Sequence, residues 1–555
     1  MTRREREGFW ISKQLTLFDN AADIGITISE AAELAHVSSA TIRNWIKTKY
    51  LKKIGKGLIS KKSFEEFLQN VAGSEKLNSR ANKSQKDSHN HAVLTEEILN
   101  EIKIGANAIE HVGKRYEASL SNSYRNMEGI YYTPPEIVKD LLKEYIEIDK
   151  NNLTFCDPSC GSGNFLMGAL EIGFKPENIY GFDIDPVAVE IAKGRIKERT
   201  GFSSNHIINQ DFLKHATDIA CKYDFIFTNP PWGKKLDKKA KRFYGEIFKA
   251  GNSLDTSALF FFASMKCLKD NGIIGLLLPE SFLNISVFEN ARKHMLQYNI
   301  IRFKDYGNSF DGLVTKAQAF TLKNTKTPHN KVLCETKDTS FYRKQSSFAN
   351  NPKSIYNFYC SNTDAAIIDH ILSLNHLTLK DNAKWGLGIV TGNNAKFCIN
   401  ELKSGYMPVY KGSDITKEGL KAPTTFIPKD TTLYQQVAPI EYYEAREKLI
   451  YKFISSKLCF YCDKQQRYIL NSANMLIIDQ TIPISSSQIA CLLNSDLMKW
   501  FFSQIFNTHK ILRGDIECLP IHHEFFSEYN HFTEENYLEY LQLSWSANGT
   551  YRIKK

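Results

Sequence analysis

The tetrapeptide Asn229-Pro230-Pro231-Trp232 combines groups suited to one kind of chemistry, the activation of a planar amine. Two prolines fix the backbone and remove both amide donors, so the Pro230 carbonyl and the Asn229 side-chain oxygen can converge as acceptors on a single NH2 group. An exocyclic amine on an aromatic ring is a poor nucleophile, because its lone pair is delocalised into the ring. Two hydrogen bonds to its hydrogens draw the nitrogen toward a pyramidal geometry and expose the lone pair. Trp232 then offers a face on which a flat base can stack for in-line attack. The plainer reading is a Pro-Pro turn at a strand end, and three further clusters weigh against it.

The first cluster is Asp157-Pro-Ser-Cys-Gly161-Ser162-Gly163, where the glycines let the backbone approach a ligand and turn sharply into a helix spanning Phe165 to Ile172. Alone this is weak, since many connections use glycine for geometry. The second, Asp183-Ile184, lies about twenty positions on, where a carboxylate accepts hydrogen bonds from ribose hydroxyls. The third, Asp211-Phe212, offers a carboxylate for an adenine amino group and an aromatic edge or face for the ring. Each Asp also reads as a helix cap, and singly that is the better account of Asp211. Together they point to an adenosine-type cofactor.

Each cluster follows a short β-rich run. The runs are Leu153–Cys156, Ile179–Asp183, His206–Asn209, Tyr223–Thr228, Ile273–Leu278 and Ala317–Leu322, with helical stretches between them. That alternation predicts an α/β domain, a mostly parallel sheet covered on both faces, with ligands at the carboxyl ends of the strands. Its expected extent is 94–335.

Upstream, Ser29 and Ser38 read as caps of two short helices, the second carrying Ile42, Trp45 and Ile46 at helical spacing. A basic hairpin around Gly55 and Gly57 and a closing helix at Ser63–Leu68 complete a winged helix-turn-helix over 25–70. Residues 71–93 are polar and read as a linker.

The stretch from about Ile130 to Leu322 resembles the γ class of amino-methyltransferases of restriction–modification systems, whose order is cofactor site, Asn-Pro-Pro-aromatic motif, then target-recognition domain. The resemblance includes Tyr131-Tyr-Thr-Pro-Pro-Glu136 and implies a Rossmann-like domain that transfers a methyl group from S-adenosylmethionine to N6 of a flipped adenine in double-stranded DNA. It implies that Thr133, Asp157 and the Gly161–Gly163 turn hold the methionine end of the cofactor, Asp183 with Ile184 the ribose side, and Asp211 with Phe212 the adenine. It also nominates Phe310 as a second aromatic on the base. Trp232 departs from the Tyr or Phe commoner in the family. The tail, over 376–540, looks like the family's α+β specificity domain. The first segment is similar to the MerR and excisionase helix-turn-helix, with Arg43 and Asn44 as candidate DNA contacts, or else a packing module.

A formal charge of +10 favours a polyanionic partner without requiring one. Lys234, Lys235, Lys238, Lys239, Lys241 and Arg242 follow the motif at once and read either as a solvated face or as a clamp on DNA phosphates. No apolar run reaches membrane-spanning length, and a cytoplasmic protein of a prokaryotic cell is expected. The eleven cysteines show no paired framework, and Cys459-x-x-Cys462 lacks a second ligand pair, so no metal is expected. Glutamine methylation of a translation factor, cytosine N4 methylation, and a regulator with an inactive cofactor fold are the competing readings. Chain size and basicity favour DNA, Asn rather than Ser at 229 favours adenine, and the full set of catalytic groups favours an active enzyme. No nuclease motif stands out, so any cognate restriction endonuclease is expected to be a separate chain.

Overall fold

The computed structural model describes residues 25–35, 39–47, 51–55, 57–70, 95–104, 108–120, 125, 128–310, 315–326, 330–416, 419–506, 510–546 and 549–554. The chain divides into two compact units, 1–128 and 129–555, each taken by itself.

In the first unit, β1 (Gly25–Thr27), α1 (Ile28–Leu34), α2 (Ser39–Lys47), β2 (Lys53–Gly55), β3 (Leu58–Ser60) and α3 (Lys61–Asn70) form a winged helix-turn-helix. The wing is a three-stranded antiparallel sheet in the order β1-β3-β2. Ala31, Ile42, Trp45, Ile59, Phe64 and Phe67 are buried together, with the Trp45 and Phe67 rings 4.7 Å apart. The expected Ser29 cap is corrected. Thr27 caps α1, because its hydroxyl accepts from the Glu30 amide at 3.2 Å while the Glu30 carboxylate accepts from the Thr27 amide at 2.8 Å. That capping box satisfies two orphan helix-end donors, and Ser29 has no such partner three residues on. Ser38 and the expected linker lie outside the described residues. Residues 95–104 are helical, and α4 (Ile109–Ser119) follows.

The second unit begins with α5 (Pro135–Leu142), then β4 (Phe155–Asp157), α6 (Asn164–Glu171), β5 (Ile179–Asp183), α7 (Pro186–Thr200), β6 (Ile207–Asn209), β7 (Tyr223–Thr228), α8 (Lys238–Ile247), α9 (Thr256–Cys267), β8 (Leu268–Pro279), β9 (Asn299–Gly307), β10 (Ala317–Lys323), β11 (Lys331–Glu335) and β12 (Ser340–Lys344). They form a nine-stranded sheet in the order β12-β11-β9-β10-β8-β7-β4-β5-β6. Strands β6, β5, β4, β7 and β8 are mutually parallel, and β10 runs antiparallel to both β8 and β9. Three strands were not read from the sequence: β9, β11 and β12, so the sheet runs on to Lys344. Alternation along β7 sends Phe225 and Phe227 to the face covered by α5, α6 and α7, and Ile226 to the face covered by α9. Strand order reverses at β4, with β5 on one side and β7 on the other, which is where such sheets open a crevice.

Beyond the sheet, β13 (Ala383–Leu387), β14 (Tyr406–Tyr410), the pair β15 (Ile415–Thr416) and β16 (Gly419–Leu420), β17 (Thr425–Pro428), β18 (Lys448–Lys452), β19 (Phe460–Asp463), β20 (Tyr468–Ile469) and β21 (Ala473–Ile478) build an α+β body. Its four-stranded sheet, β13-β21-β18-β19, packs Leu449, Tyr451 and Leu476 against helices Asn362–Ser373, Ser486–Asn494 and Asp496–Phe506. The other face packs Ile450 and Met475 against β14 and β20. The first of these cores takes in residues from Ile355 to Tyr551, wider than the 376–540 expected.

Candidate active site

Asn229 closes β7 at the crevice, and its two amide atoms are treated differently by the fold. Nδ2 donates to the Tyr131 carbonyl at 2.7 Å, whereas Oδ1 is buried with no hydrogen-bond partner among the described residues. Because a carbonyl can only accept, this contact fixes which end of the amide points into the pocket. The backbone around it is selective too. Ser159 Oγ donates to the Asn229 carbonyl at 3.0 Å and Ser257 Oγ to the Pro231 carbonyl at 3.3 Å. The Pro230 carbonyl between them receives no hydrogen bond among the described residues. Two acceptors on consecutive residues are thus left without donors among the described residues, and a buried acceptor without a donor costs about 1–3 kcal/mol.

Three rings close over them. The Trp232 indole donates to the Leu277 carbonyl of β8 at 3.3 Å. Its ring lies 5.2 Å from Phe310, nearly perpendicular, and 5.8 Å from Tyr131, with Tyr131 and Phe310 5.7 Å apart. Trp232 and Phe310 are each only 8% exposed, the two rings packed against one another. The segment carrying Tyr131 is pressed onto the motif: the Trp232 amide donates to the Gly129 carbonyl at 3.1 Å, and a Cβ on Gly129, whose φ is +70°, would lie 2.6 Å from the Trp232 carbonyl oxygen. Neither Gly129 nor the anchoring role of Tyr131 was read from the sequence.

The neighbouring turn after β4 is built for close approach. Gly161 and Gly163 have φ of +50° and +94°, and a Cβ on Gly161 would meet the Tyr132 ring at 2.9 Å. Asp183 receives the Gly161 amide at 2.8 Å and the Asp185 amide at 2.9 Å. Arg195 donates to the Ser162 carbonyl and to Asn164 Oδ1, and Asn164 Nδ2 donates to the carbonyl of buried Thr133 at 2.9 Å. The turn, α7 and the segment before α5 are therefore one hydrogen-bonded frame. Burial pushes the carboxyl of Asp157, which is almost wholly buried, up to about 7 and that of Asp183 up to about 6; the proximity of the two carboxylates adds to the Asp157 shift. A buried and a partly buried carboxylate that both resist ionising suit a cationic ligand.

Ile184 is 53% exposed at the end of β5, an unusual setting for isoleucine and a ready apolar face. Asp211 caps the single-turn helix Phe212–His215, its Oδ1 receiving the Leu213 amide at 2.9 Å. Phe212 departs from expectation. Its ring is buried in the core, 5.4 Å from Phe182 and 6.2 Å from Phe260, because the helix it opens turns its first side chain under the sheet edge. An exposed apolar side chain at these strand ends is Ile184.

Of the basic cluster, Lys235, Lys238 and Lys239 are exposed, the latter two in the first turn of α8, whose cap is Asp237. Arg242 pairs with Glu246 at 2.9 Å. Lys234 differs: Thr256 Oγ1 holds its carbonyl at 2.6 Å, and its ammonium eases ionisation of Asp183, so it faces the crevice. Arg43 is exposed in the first unit, and the Asn44 side chain lies outside the described residues.

Comparison with known proteins adds three family matches: a helix-turn-helix domain over residues 26–71, N-6 DNA Methylase over 107–356, and the TaqI-like C-terminal specificity domain over 407–521. Type II methyltransferase M.VspI of Vibrio sp. (strain 343) is 49% identical over 408 residues, covering 73% of this chain and 100% of that protein. Type II methyltransferase M.AccI of Acinetobacter calcoaceticus is 26% identical over 334 residues, 56% of this chain and 58% of that protein. Among solved structures, the type IIL restriction-modification enzyme MmeI in complex with DNA shares the fold at a TM-score of 0.51 and 12% identity, covering 73% of this chain and 70% of that one.

Proposed function

The chain belongs to the N-6 DNA methylases and is an adenine-N6 DNA methyltransferase of restriction–modification type; from that premise we propose that its methyl donor is S-adenosylmethionine and that Asn229 and Pro230 activate the target amine. The observation that carries this reading is the buried, partnerless Asn229 Oδ1 beside the open Pro230 carbonyl. An adenine amine turned out of the duplex brings two N–H donors to these two acceptors. Both hydrogen bonds strengthen as the nitrogen becomes pyramidal and positive, so they favour the transition state over the ground state. Neither acceptor is a base, so the proton lost from the amine passes to solvent. Trp232, with Phe310 and Tyr131, clasps the base plane.

The donor set fits the cofactor. Asp157 and the Gly161–Ser162–Gly163 turn receive its ammonium end with Thr133, Asp183 its ribose, and Ile184 and Asp211 its adenine, Phe212 contributing through its backbone alone. S-adenosylmethionine bound there supplies a methyl group on a sulfonium. Asn229, at the junction, faces both cofactor and base.

The remaining assignments follow from the DNA substrate. Residues 25–70 form the helix-turn-helix domain with Arg43 and Asn44 as its DNA contacts, the catalytic domain runs from 94 to the end of β12 at Lys344, and the target-recognition domain takes in the core from Ile355 to Tyr551. Lys234 lies with the cofactor side, and Lys235, Lys238 and Lys239 hold DNA phosphates. The enzyme works in the prokaryotic cytoplasm, where a separate cognate endonuclease cuts DNA it has left unmodified. No helix among the described residues is long and apolar enough to cross a membrane. Glutamine, cytosine-N4 and inactive-regulator readings are not favoured, given the DNA methylase and specificity-domain matches.

The test is long-read detection of N6-methyladenine in DNA from cells expressing the chain, together with calorimetry of S-adenosylmethionine binding to the parental protein and Asp183→Ala. Site-specific N6-methyladenine with cofactor binding lost in the variant is expected. Unchanged affinity in Asp183→Ala removes Asp183 from the ribose site.

A further inference from the structure

In the specificity part, the chain passes from β19 of one sheet to β20 of the other through Lys464–Arg467. A loop spanning two sheets has both ends fixed, and this one is fixed unusually hard. Asp463, wholly buried, receives Lys448 Nζ at 2.6 Å, the Arg467 amide at 2.8 Å, Arg467 Nη1 at 2.9 Å and the Gln465 amide at 3.2 Å. Lys448 is wholly buried as well. A buried ion pair is a poor source of stability but a good source of defined geometry, since removing either partner strands a charge.

Above this anchor, three of the four loop residues are already engaged. Lys464 pairs with Glu447 at 3.6 Å. Arg467 lies between the Tyr410 and Tyr461 rings, 5.7 and 5.6 Å from their centres, and also donates to the Gln465 side chain. Gln466 is the exception. It is exposed, makes no hydrogen bond among the described residues, and holds a φ of +50° that a side chain other than glycine adopts at a cost. Beside it opens a cleft of about 530 Å3 that also touches Met407, Pro408, Tyr410 and Lys429 and carries no acidic residue.

We infer that Gln466 is a base-reading residue of this methyltransferase, its carboxamide presented to an adenine edge in the major groove, with Asp463 and Arg467 as positioning residues. A carboxamide offers one donor and one acceptor in a plane, the complement of adenine N7 and its N6 amine. Held on a strained but rigid loop, it meets the base with the ordering cost confined to its own side chain. The inference rests on reading the C-terminal part as the part that contacts the target DNA.

The test measures methylation across a randomised duplex library by the parental chain, Gln466→Ala and Gln466→Gly. The glycine variant removes the side chain while relieving the positive φ, so misfolding does not explain a loss. Expected is a fall in kcat/KM on the parental target of roughly 5- to 150-fold in both variants, with tolerance gained at one adenine of the recognition sequence and S-adenosylmethionine affinity unchanged. An unchanged rate and target, or a uniform weakening over all sequences with a flatter salt slope, overturns the inference while leaving the methyltransferase assignment standing. A parental chain that methylates no member of the library overturns both.

Discussion

The amide of Asn229 donates to the carbonyl of Tyr131 at 2.7 Å, a bond between residues 98 positions apart that leaves the asparagine oxygen buried and bare. This contact orients one of the two acceptors and ties it to the segment that also holds the cofactor turn. On the mechanism proposed above, replacing Asn229 by Ala removes one of two transition-state hydrogen bonds. Turnover is expected to fall by about 10²- to 10³-fold, with cofactor affinity little changed, because the Gly161 turn and Asp183 are held by other partners. Single-turnover methylation and calorimetry on the same preparation separate the two effects.

Gly129 supplies a second check on that segment. A Cβ there meets the Trp232 backbone at 2.6 Å, and the φ of +70° is itself unfavourable for alanine, by about 1–3 kcal/mol. Gly129→Ala is expected to lower the melting temperature and to displace the Trp232 ring, cutting kcat more than cofactor affinity. A variant that melts and turns over like the parent shows that the two segments do not need this contact.

The placement of the candidate residues was legible wherever residue type marks a strand end. Asn229, Pro230, Asp183 and the glycines of the first turn stand at the ends of strands whose apolar runs are unmistakable, so their convergence followed from the α/β plan. Tyr131 was hidden because a backbone carbonyl acts regardless of which side chain it bears. The burial of the Phe212 ring was not legible because a residue after a capping Asp can turn outward or into the core, and core packing decides. The strands β9, β11 and β12 were missed in a stretch where charged residues interrupt the apolar alternation. There, buried Arg302 is neutralised by Asp140, 162 positions away in sequence, at 2.8 Å, a pairing no local pattern announces. The same holds for the Lys448 and Asp463 pair.

The Asp157 carboxyl, pushed up to about 7 by burial from an ordinary 3.8, makes stability depend on pH. Its folded value lies above its unfolded value, so the folded state holds the extra proton. That contribution is fully present below about pH 4 and is lost as pH rises through about 7. The melting temperature of the cofactor-free chain relative to Asp157→Asn should therefore drop by a few degrees between pH 5 and pH 8. Added S-adenosylmethionine should reverse the trend, because its cationic end favours the ionised carboxylate. Parallel pH profiles of parent and variant, with and without cofactor, remove Asp157 from the site.

The last prediction concerns Lys235, Lys238 and Lys239, exposed just beyond the catalytic motif. A solvated helix face and a phosphate clamp differ in what their removal does to salt dependence. The position of two of them argues for the clamp, because Lys238 and Lys239 sit in the first turn of α8, where the positive end of the helix dipole disfavours cations. Turning a base out also costs a few kcal/mol, which contacts to its flanking phosphates offset. Arg242 is left out because Glu246 already pairs with it, and Lys234 because its ammonium acts on Asp183. Changing all three lysines to Gln relieves the unfavourable charge at the α8 N-terminus, so the variant should fold at least as well as the parent. Each phosphate contact contributes about −0.9 to the slope of log affinity against log salt, and the triple variant should flatten that slope by roughly two to three units. The sequence methylated should stay the same, since phosphate contacts position the enzyme without reading bases. A slope unaltered in the triple variant returns these lysines to the solvent and leaves the DNA backbone to be held elsewhere on the enzyme.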